Sequence, residues 1–494
     1  MYFEMSTLAT RLLYAASGLM LTTAVAAGPI YQPPGANLTY GDVTHGQRVQ
    51  SASTNPAAGA ADVARRGQKE TRGTIFSASA GLEYGNIENL FEFYDRLTAG
   101  YNPSEPGEGG GPGQDPGDKP VGGIDLGEIW DQLDPDIQAA VQAIGAELAR
   151  QTALLAIIRT EGYGKAWVAA DLPFVLGTEY LGGAWTFGVN WSGSTKAFGL
   201  ADEIEFDPDA ARAALEDWFN QLPADRPVQL PVSSDVMLHY DIGSNGVRLG
   251  IINDSSIIAK STRTMEFNAG YSRKAWSNDS GSLFLGMRGQ LYLMDLTRVS
   301  VRFGDITDTE DLFDEIRSGV FRSDTRLGMD VGALWVADHY QLGMQIKNLN
   351  EPRFQFPALD LELYGSERII EFLQTDQTYT MNRQVKLEAS IFGKERRWSA
   401  HVGLDAGPAT DPLGDEYQWL TLSTGFTTDS RWIPGFRFGY RENLAGTGLK
   451  YVSAGLTAFR FLNFDVSSAL DTVRIEGRDL PQGLMLSLGF QVNW

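Results

Sequence analysis

Leu484, Leu486, Leu488, Phe490, Val492 and Trp494 occupy every second position of the closing residues, with Ser487, Gly489, Gln491 and Asn493 between them. A period of two is the signature of a strand. In a soluble sandwich this strand would show water a row of leucines and a terminal Trp. In a membrane barrel the oily flank meets lipid, the polar flank meets the lumen, and the last ring sits at the interface. The second arrangement is the expectation. Leu488, Phe490, Val492 and Trp494 then form the closing strand and the signal that barrel-assembly machinery would bind.

The same alternation recurs. Phe76, Ala78, Ala80, Leu82 and Tyr84 form one face, Trp185, Phe187, Val189 and Trp191 a second, and Leu283, Leu285, Met287, Leu291 and Leu293 a third. Asn245-Gly246 is a short-hairpin signal between two strand-like runs. Further runs lie near residues 330, 343, 387, 400, 421, 437, 456, 466 and 488. The fold class expected is an all-β transmembrane barrel of about 14 antiparallel strands with an N-terminal hatch and inserted α-helices; an even strand number keeps both termini on the periplasmic side. At ~10 membrane residues per strand, the spans use only ~140 residues, so the barrel is expected to be plugged.

No apolar run reaches the ~18 residues a membrane helix needs. The mean hydropathy of -0.20 does not argue against membrane strands, whose two faces cancel. Arg11 precedes an apolar stretch from Leu12 to Val25 and the small residues Ala26, Ala27 and Gly28. That pattern predicts a cleaved signal peptide over 1-27 and export to the bacterial outer membrane. The chain has 0 cysteines, which removes disulfides, thiolate metal sites and a cysteine nucleophile. A net charge of -22 repels phosphates, so no direct nucleic-acid contact is expected.

Residues 28-73 are small and polar and suit a lumen-filling hatch; 74-494 hold the barrel. Residues 102-123 form a Pro/Gly-rich loop with too few apolar groups to fold alone. Helices are expected at about 124-160, 207-222 and 307-317. Asp134-Pro135-Asp136 and Asp207-Pro208-Asp209 each supply a capping acid, a first-turn proline and a second acid.

The four histidines, His45, His239, His339 and His401, are scattered, with no HExxH or HxxxH pair, and no G-x-S-x-G elbow occurs. No catalytic residue, resident metal or cofactor is expected, and the chain is read as a non-enzyme. Two acid clusters, Glu310-Asp311 with Asp314-Glu315 and Asp411 with Asp415-Glu416, lack EF-hand spacing. The first reads as a solvated helix face. The second reads as a turn, with calcium the lesser alternative.

Asn55-Pro56-Ala57, ahead of the first strand, resembles the hatch element of FadL-type transporters of hydrophobic compounds. A longer set is similar to the conjugal-transfer TraF-like barrel family: Gly328-Met329-Asp330-Val331-Gly332, then Asn348-Leu349-Asn350-Glu351-Pro352-Arg353-Phe354, and Phe436 to Leu444 with Arg437, Gly439, Tyr440 and Asn443. Gly328 and Gly332 also read plainly as strand bends or space for a bulky neighbour, and Asn348 and Pro352 as turn formers. The first resemblance implies binding or passage of small hydrophobic molecules through a plugged lumen. The second implies a structural envelope component working through contacts with envelope or conjugation proteins. Outer-membrane lipid is a partner on either reading.

Overall fold

The computed structural model describes residues 34–45, 50–66, 73–85, 124–125, 137–221, 229–241, 246–251, 253–302, 319–428, 430–475 and 478–493. Fourteen antiparallel strands close into one barrel, the number the alternation predicts. They are β1 (Gly73–Tyr84), β2 (Tyr163–Tyr180), β3 (Gly183–Leu200), β4 (Ser256–Asn278), β5 (Gly281–Arg302), β6 (Arg322–Val336) and β7 (Tyr340–Lys347). The circuit continues through β8 (Gln384–Phe392), β9 (Trp398–Asp405), β10 (Trp419–Phe426), β11 (Gly435–Asn443), β12 (Lys450–Ala458), β13 (Leu462–Ala469) and β14 (Gly483–Asn493). Each strand pairs with its neighbours in the chain, and β14 returns to β1 with Phe76 opposite Phe490 and Ala80 opposite Leu486.

Burial is inverted relative to a soluble protein. Leu484, Leu486, Leu488, Phe490 and Val492 point outward, whereas Ser487 and Gln491 are buried. Along β1, Ser77, Ser79 and Glu83 face inward and Phe76 is 51 % exposed. An apolar outside with a polar inside is stable only where the outside meets hydrocarbon. No helix among the described residues is long and apolar enough to cross a membrane. The strands do the crossing, and the barrel is of the outer-membrane type. The signal-peptide expectation, 1-27, and Trp494 lie outside the described residues, as do the helix expected at 307-317, the 102-123 loop and Asn245.

Connections at one end are short: 181–182, 279–280, 337–339, 393–397, 427–434 and 459–461. Leu181 and Gly182 both hold positive φ, 57° and 73°, as a two-residue primed hairpin turn requires. Aromatic pairs girdle this end: Trp276 lies 5.7 Å from Trp335 and Trp398 4.8 Å from Phe426, between ring centroids. Short turns and interfacial aromatics mark the periplasmic side. The opposite end carries the long connections.

The wall is uneven. β4 has 23 residues and β5 has 22, against 8 in β9 and in β10. Since ~9–11 tilted residues span the hydrocarbon, the tall strands rise above the lipid at the loop end.

The hatch contributes helices α1 (Asn37–Tyr40), α2 (Gln50–Thr54) and α3 (Ala58–Arg66), threaded inside the barrel. Above the loop end sits a cap built from α4 (Ile137–Glu161), α5 (Pro208–Phe219) and a four-stranded sheet. The Asp207 side chain accepts from the Asp209 and Ala210 N–H groups, with Pro208 in the first turn. Ile144, Leu148, Leu215 and Trp218 share a core with Val236, Leu238 and Leu249. One boundary is corrected: α4 begins at Ile137 rather than about 124, because Ile124 and Asp125 pair as a strand with Leu249 and Arg248. The apolar residues of α4 as far as Leu148, and those of α5, are buried within the cap.

Candidate functional site

The lumen is the place where chemistry collects, and the hatch is bolted to its wall on two sides. On the side of the tall strands, Asn55 Oδ1 accepts from the Ala57 N–H at 2.9 Å, while its Nδ2 donates to Glu388 Oε1 at 3.2 Å and to the Met344 carbonyl at 3.4 Å. A Cβ at Gly332 would collide with the Asn55 carboxamide, and one at Gly286 with the Pro56 carbonyl. These two wall glycines let the Asn55-Pro56-Ala57 turn seat directly on the strand backbones. Arg288 Nη2 donates to the Thr54 carbonyl at 3.0 Å, Ser272 Oγ accepts from the Ala60 N–H at 2.9 Å, and Glu388 Oε2 accepts from the Thr44 N–H at 2.7 Å. Lys347 pairs with Asp42 at 2.8 Å.

On the opposite side, Ser487 Oγ accepts from the Gly35 N–H at 2.6 Å. Arg437 donates through Nε to Asp465 Oδ1 at 2.7 Å, and the Thr39 hydroxyl donates to the same oxygen. Gly439 is again a space-maker, since a Cβ there would meet the Thr39 carbonyl. Buried hydrogen bonds to charged groups stabilise by ~1.5–3 kcal/mol each relative to leaving the polar group unpaired, so this set holds the plug in one pose.

The inner face of β5 shows three bands. Phe284 packs against Ala57 and Ala58 at the turn end. Arg288 and Gln290 form a polar middle, and Tyr292, Met294 and Leu296 form an apolar layer at the loop end. A strap, 348–383, folds over that upper layer. It carries Phe354, Phe356, Tyr379 and Met381, with Phe354 stacked on Tyr379 at 6.1 Å, and helix α6 (Glu367–Thr375), whose Ile369 and Leu373 reach Leu200 and Ile258. The polar middle encloses a cavity of about 140 Å³ lined by Asp42, Asp171, Asn190, Glu266, Arg288 and Asp330 among others.

A second polar constellation closes the mouth. The loop 406–418 turns inward, and Lys165 of β2 donates to Asp411 Oδ2 at 2.5 Å and to Asp415 Oδ2 at 2.8 Å. Lys196 of β3 pairs with Asp415 Oδ1. The acid pair weighed for calcium is therefore occupied by two ammonium groups, and no metal-holding group of acids and histidines occurs among the described residues. Burial alone would raise the Asp415 carboxyl, but Lys165 and Lys196 overcome it and hold the group at about 2.

The residues singled out in the sequence separate into several places. Asp330 accepts from Gln290 Nε2 at 2.6 Å and from the Asn348 N–H at 3.0 Å, which joins the Gly328–Gly332 run to the start of the strap. Asn348 sits at φ 51°, a left-handed turn that Asn tolerates better than most residues. The Leu349 N–H reaches the Met329 carbonyl at 2.8 Å, and the Pro352 carbonyl accepts from Met381 at 3.0 Å. Phe354 is fully buried, and Gly328 leaves room for the Tyr292 ring. Arg437 and Gly439 belong to the hatch seat. Tyr440 does not join them: it follows the outward parity of Phe436 and Phe438, and its hydroxyl donates to Glu442 at 2.8 Å. Asn443 braces the loop end by accepting from the Gln418 N–H at 2.8 Å. His339 lies exposed in its turn, as its place beside Asp338 suggested. Glu83, Lys165, Asp171, Lys196, Arg288 and Glu388 were not singled out. Their signal was parity, since each is a charge at the position within its strand that faces away from lipid.

The comparisons with known proteins follow this geometry. In structure the chain is similar to a TodX monoaromatic hydrocarbon channel deltaS2 mutant, with a TM-score of 0.42, 10% identity, and 94% of this chain and 98% of that one covered. It is also similar to a Pseudomonas aeruginosa FadL homologue (TM-score 0.39, 11% identity, 95% and 100% covered) and to the Pseudomonas putida toluene transporter TodX (TM-score 0.38, 10% identity, 95% and 99% covered). No curated protein matches the sequence. A family model described as "F plasmid transfer operon, TraF, protein" matches residues 52–405. That match spans most of the chain, from the second hatch helix through β9, and the chain belongs to this TraF family.

Proposed function

We propose that this outer-membrane barrel binds and passes small hydrophobic molecules, taking them up at its loop end. The observation that carries the reading is the apolar layer of Tyr292, Met294, Leu296, Phe354, Phe356, Tyr379 and Met381, enclosed between the tall wall and the strap. This layer is close-packed, with Tyr292, Phe354 and Met381 nearly inaccessible, so a molecule that water rejects would bind by lifting the strap and lodging between it and the apolar wall. The polar band and the seated hatch beneath it oppose passage straight down the axis, because an apolar solute there would bury charges without partners. A softer route is on the wall: the β1–β2 ladder skips Ile75 and Phe76, opposite Leu172 and Pro173, and a proline cannot donate to the ladder.

The test is binding of N-phenyl-1-naphthylamine to the detergent-purified barrel, read by fluorescence. Wild type should bind with saturation, and Phe354→Ser should weaken binding about tenfold or more, as losing a buried aromatic contact implies. Equal binding by both proteins would remove the strap from the site. A second reading, a structural envelope component of conjugation acting through protein contacts, is favoured by the family description. Its measure is plasmid transfer frequency after deletion of the gene, with transfer expected to be lost on deletion and restored when the Phe354→Ser protein is supplied.

A further inference from the structure

The polar cavity is not balanced in charge or in hydrogen-bonding sense. The barrel register places Asp171 of β2 opposite Asn190 of β3, and Asn190 opposite Glu266 of β4. The parity of all three is inward, and together they form an acid–amide–acid row along the cavity wall.

The other charges around the cavity are committed elsewhere. Asp42 is matched by Lys347 at 2.8 Å and Lys386 at 3.4 Å. Asp330 takes Gln290, the Asn348 N–H and, at 3.5 Å, Arg288. The Arg288 guanidinium also spends its two terminal nitrogens on the Ser53 and Thr54 carbonyls of the hatch. That leaves Asp171 and Glu266. Glu266 accepts from Asn268 at 3.0 Å, a neutral donor. Asp171 is 6% exposed, and its Oδ1 has no hydrogen-bond partner.

Most of the neighbouring orphans have the same sense; the exception is the Arg288 Nε–H, which faces Asp330 at 3.5 Å. Asn37 Oδ1, Asn190 Oδ1 and Gln290 Oε1 line the same space, and each is a buried oxygen acceptor without a donor. The Leu172 N–H donates to Asp171 and Asn190 to Glu266, and both acids feel Arg288. One guanidinium shared among Asp171, Glu266 and Asp330 nevertheless leaves the buried carboxylates short of positive charge, which is unfavourable. Water alone would supply donors but no charge. We propose that this cavity is a binding site for a monovalent inorganic cation, held by Asp171 and Glu266 with the Asn190 and Gln290 side-chain oxygens and part of its own hydration shell.

Hard oxygen donors suit an alkali cation, and nitrogen and sulfur ligands are lacking in the row. Two carboxylates with amide oxygens make a poor cage for a divalent ion, which would need more charged ligands, and no group of three or more acids and histidines fit to hold a metal occurs among the described residues. The cavity volume of about 140 Å³ leaves room for the ion together with water. The site lies directly against the hatch through Asn37, so the ion would also tie the plug to the tall wall. None of this depends on what cargo the barrel passes.

The experiment is equilibrium binding of radioactive rubidium to the full-length barrel in detergent, with potassium chloride or choline chloride as competitor at matched ionic strength. Saturable binding that potassium displaces and choline does not is the expected result. Asp171→Asn should weaken it about tenfold or more, through loss of one of two coordinating charges. Thermal unfolding should show the matching shift: wild type melts higher in potassium than in choline by several degrees, and Asp171→Asn loses that difference. Should Asp171→Asn fail to refold, Glu266→Gln is read the same way. Wild type that binds no rubidium above background would overturn the site, as would variants that bind as wild type does. Displacement by methylammonium at lower concentration than by potassium would overturn the assignment to an inorganic ion.

Discussion

The carboxamide of Asn55 fills the space that a side chain at position 332 would need. Gly332 stands in the wall and Asn55 in the hatch, and the missing Cβ is what lets the plug rest on the β6 backbone. Replacing Gly332 with Val should therefore unseat the Asn55-Pro56-Ala57 turn without unpicking the β6 ladder. Overpacking of this kind costs ~1–3 kcal/mol. Planar-bilayer conductance reads the outcome: the wild-type barrel should stay closed, and Gly332→Val should conduct. A variant as silent as wild type, with the same melting curve, would mean that the hatch is not held by this approach.

Arg437 and Asp465 are both nearly inaccessible, at 3% and 0% side-chain exposure, and Thr39 of the hatch shares the carboxylate. Arg437→Met would leave Asp465 charged and unpaired, a loss of ~3–5 kcal/mol. Asp465→Asn in the same chain should restore much of it, because the double variant no longer buries a lone charge. Urea midpoints of the refolded barrel in detergent measure both. If the two single losses simply added, the pair would not be acting as a unit.

The wall was legible because its physics is local. Alternation along β1 and β14 reports which side chains meet lipid, and Asp207-Pro208-Asp209 reports a helix start from three residues of sequence. The interior was legible only in part. Asn55 could be noticed as part of a turn, yet its partner Glu388 is 333 residues away, and no spacing rule reaches across barrel closure. The Asp411 and Asp415 loop reads from sequence as an acidic turn, with calcium the lesser alternative; what the sequence does not disclose is the pair of lysines that fills it. Lys165 and Lys196 lie in strands more than 200 residues earlier, and only the closed circuit brings them to the loop. Tyr440 shows the converse: a residue inside a matching motif turned out to face the other way, because the parity of β11 alternates its motif between lumen and lipid.

Leu486 and Met485 are neighbours with opposite surroundings, 48% and 2% exposed. If the exposed row lies in hydrocarbon, Leu486→Arg should cost ~2–4 kcal/mol in lipid vesicles near the membrane midplane. The comparison is Leu480→Arg, at a position of similar exposure in the small hairpin beyond the barrel rim, where the charge would remain in water and cost little. Unfolding midpoints in vesicles decide the matter. Equal tolerance at the two positions would take the β14 face out of the membrane.

The loop-end latch should release in acid, and the direction follows from Asp415. Its carboxyl is held at about 2 in the folded chain against 3.8 ordinarily, because two lysines outweigh the effect of burial. A group whose value is depressed on folding contributes stability above its unfolded value and loses it as pH falls through the folded one, here on the order of 2 kcal/mol. Asp411, on the same Lys165, is shifted the other way because burial outweighs the lysine, so its side of the latch releases first as pH falls, and the Asp415 side weakens below about pH 4 toward about pH 2. The chain has 0 cysteines, so Glu416→Cys, at an exposed position in the same loop, carries a single fluorescent label cleanly. Its signal should change across that window, and Lys196→Met should move the change to higher pH by removing one of the two ammonium groups on Asp415. A loop that stays in place to pH 2, or a Lys196→Met profile that overlays wild type, would show that packing by Tyr417 and Leu413 rather than charge holds the mouth shut.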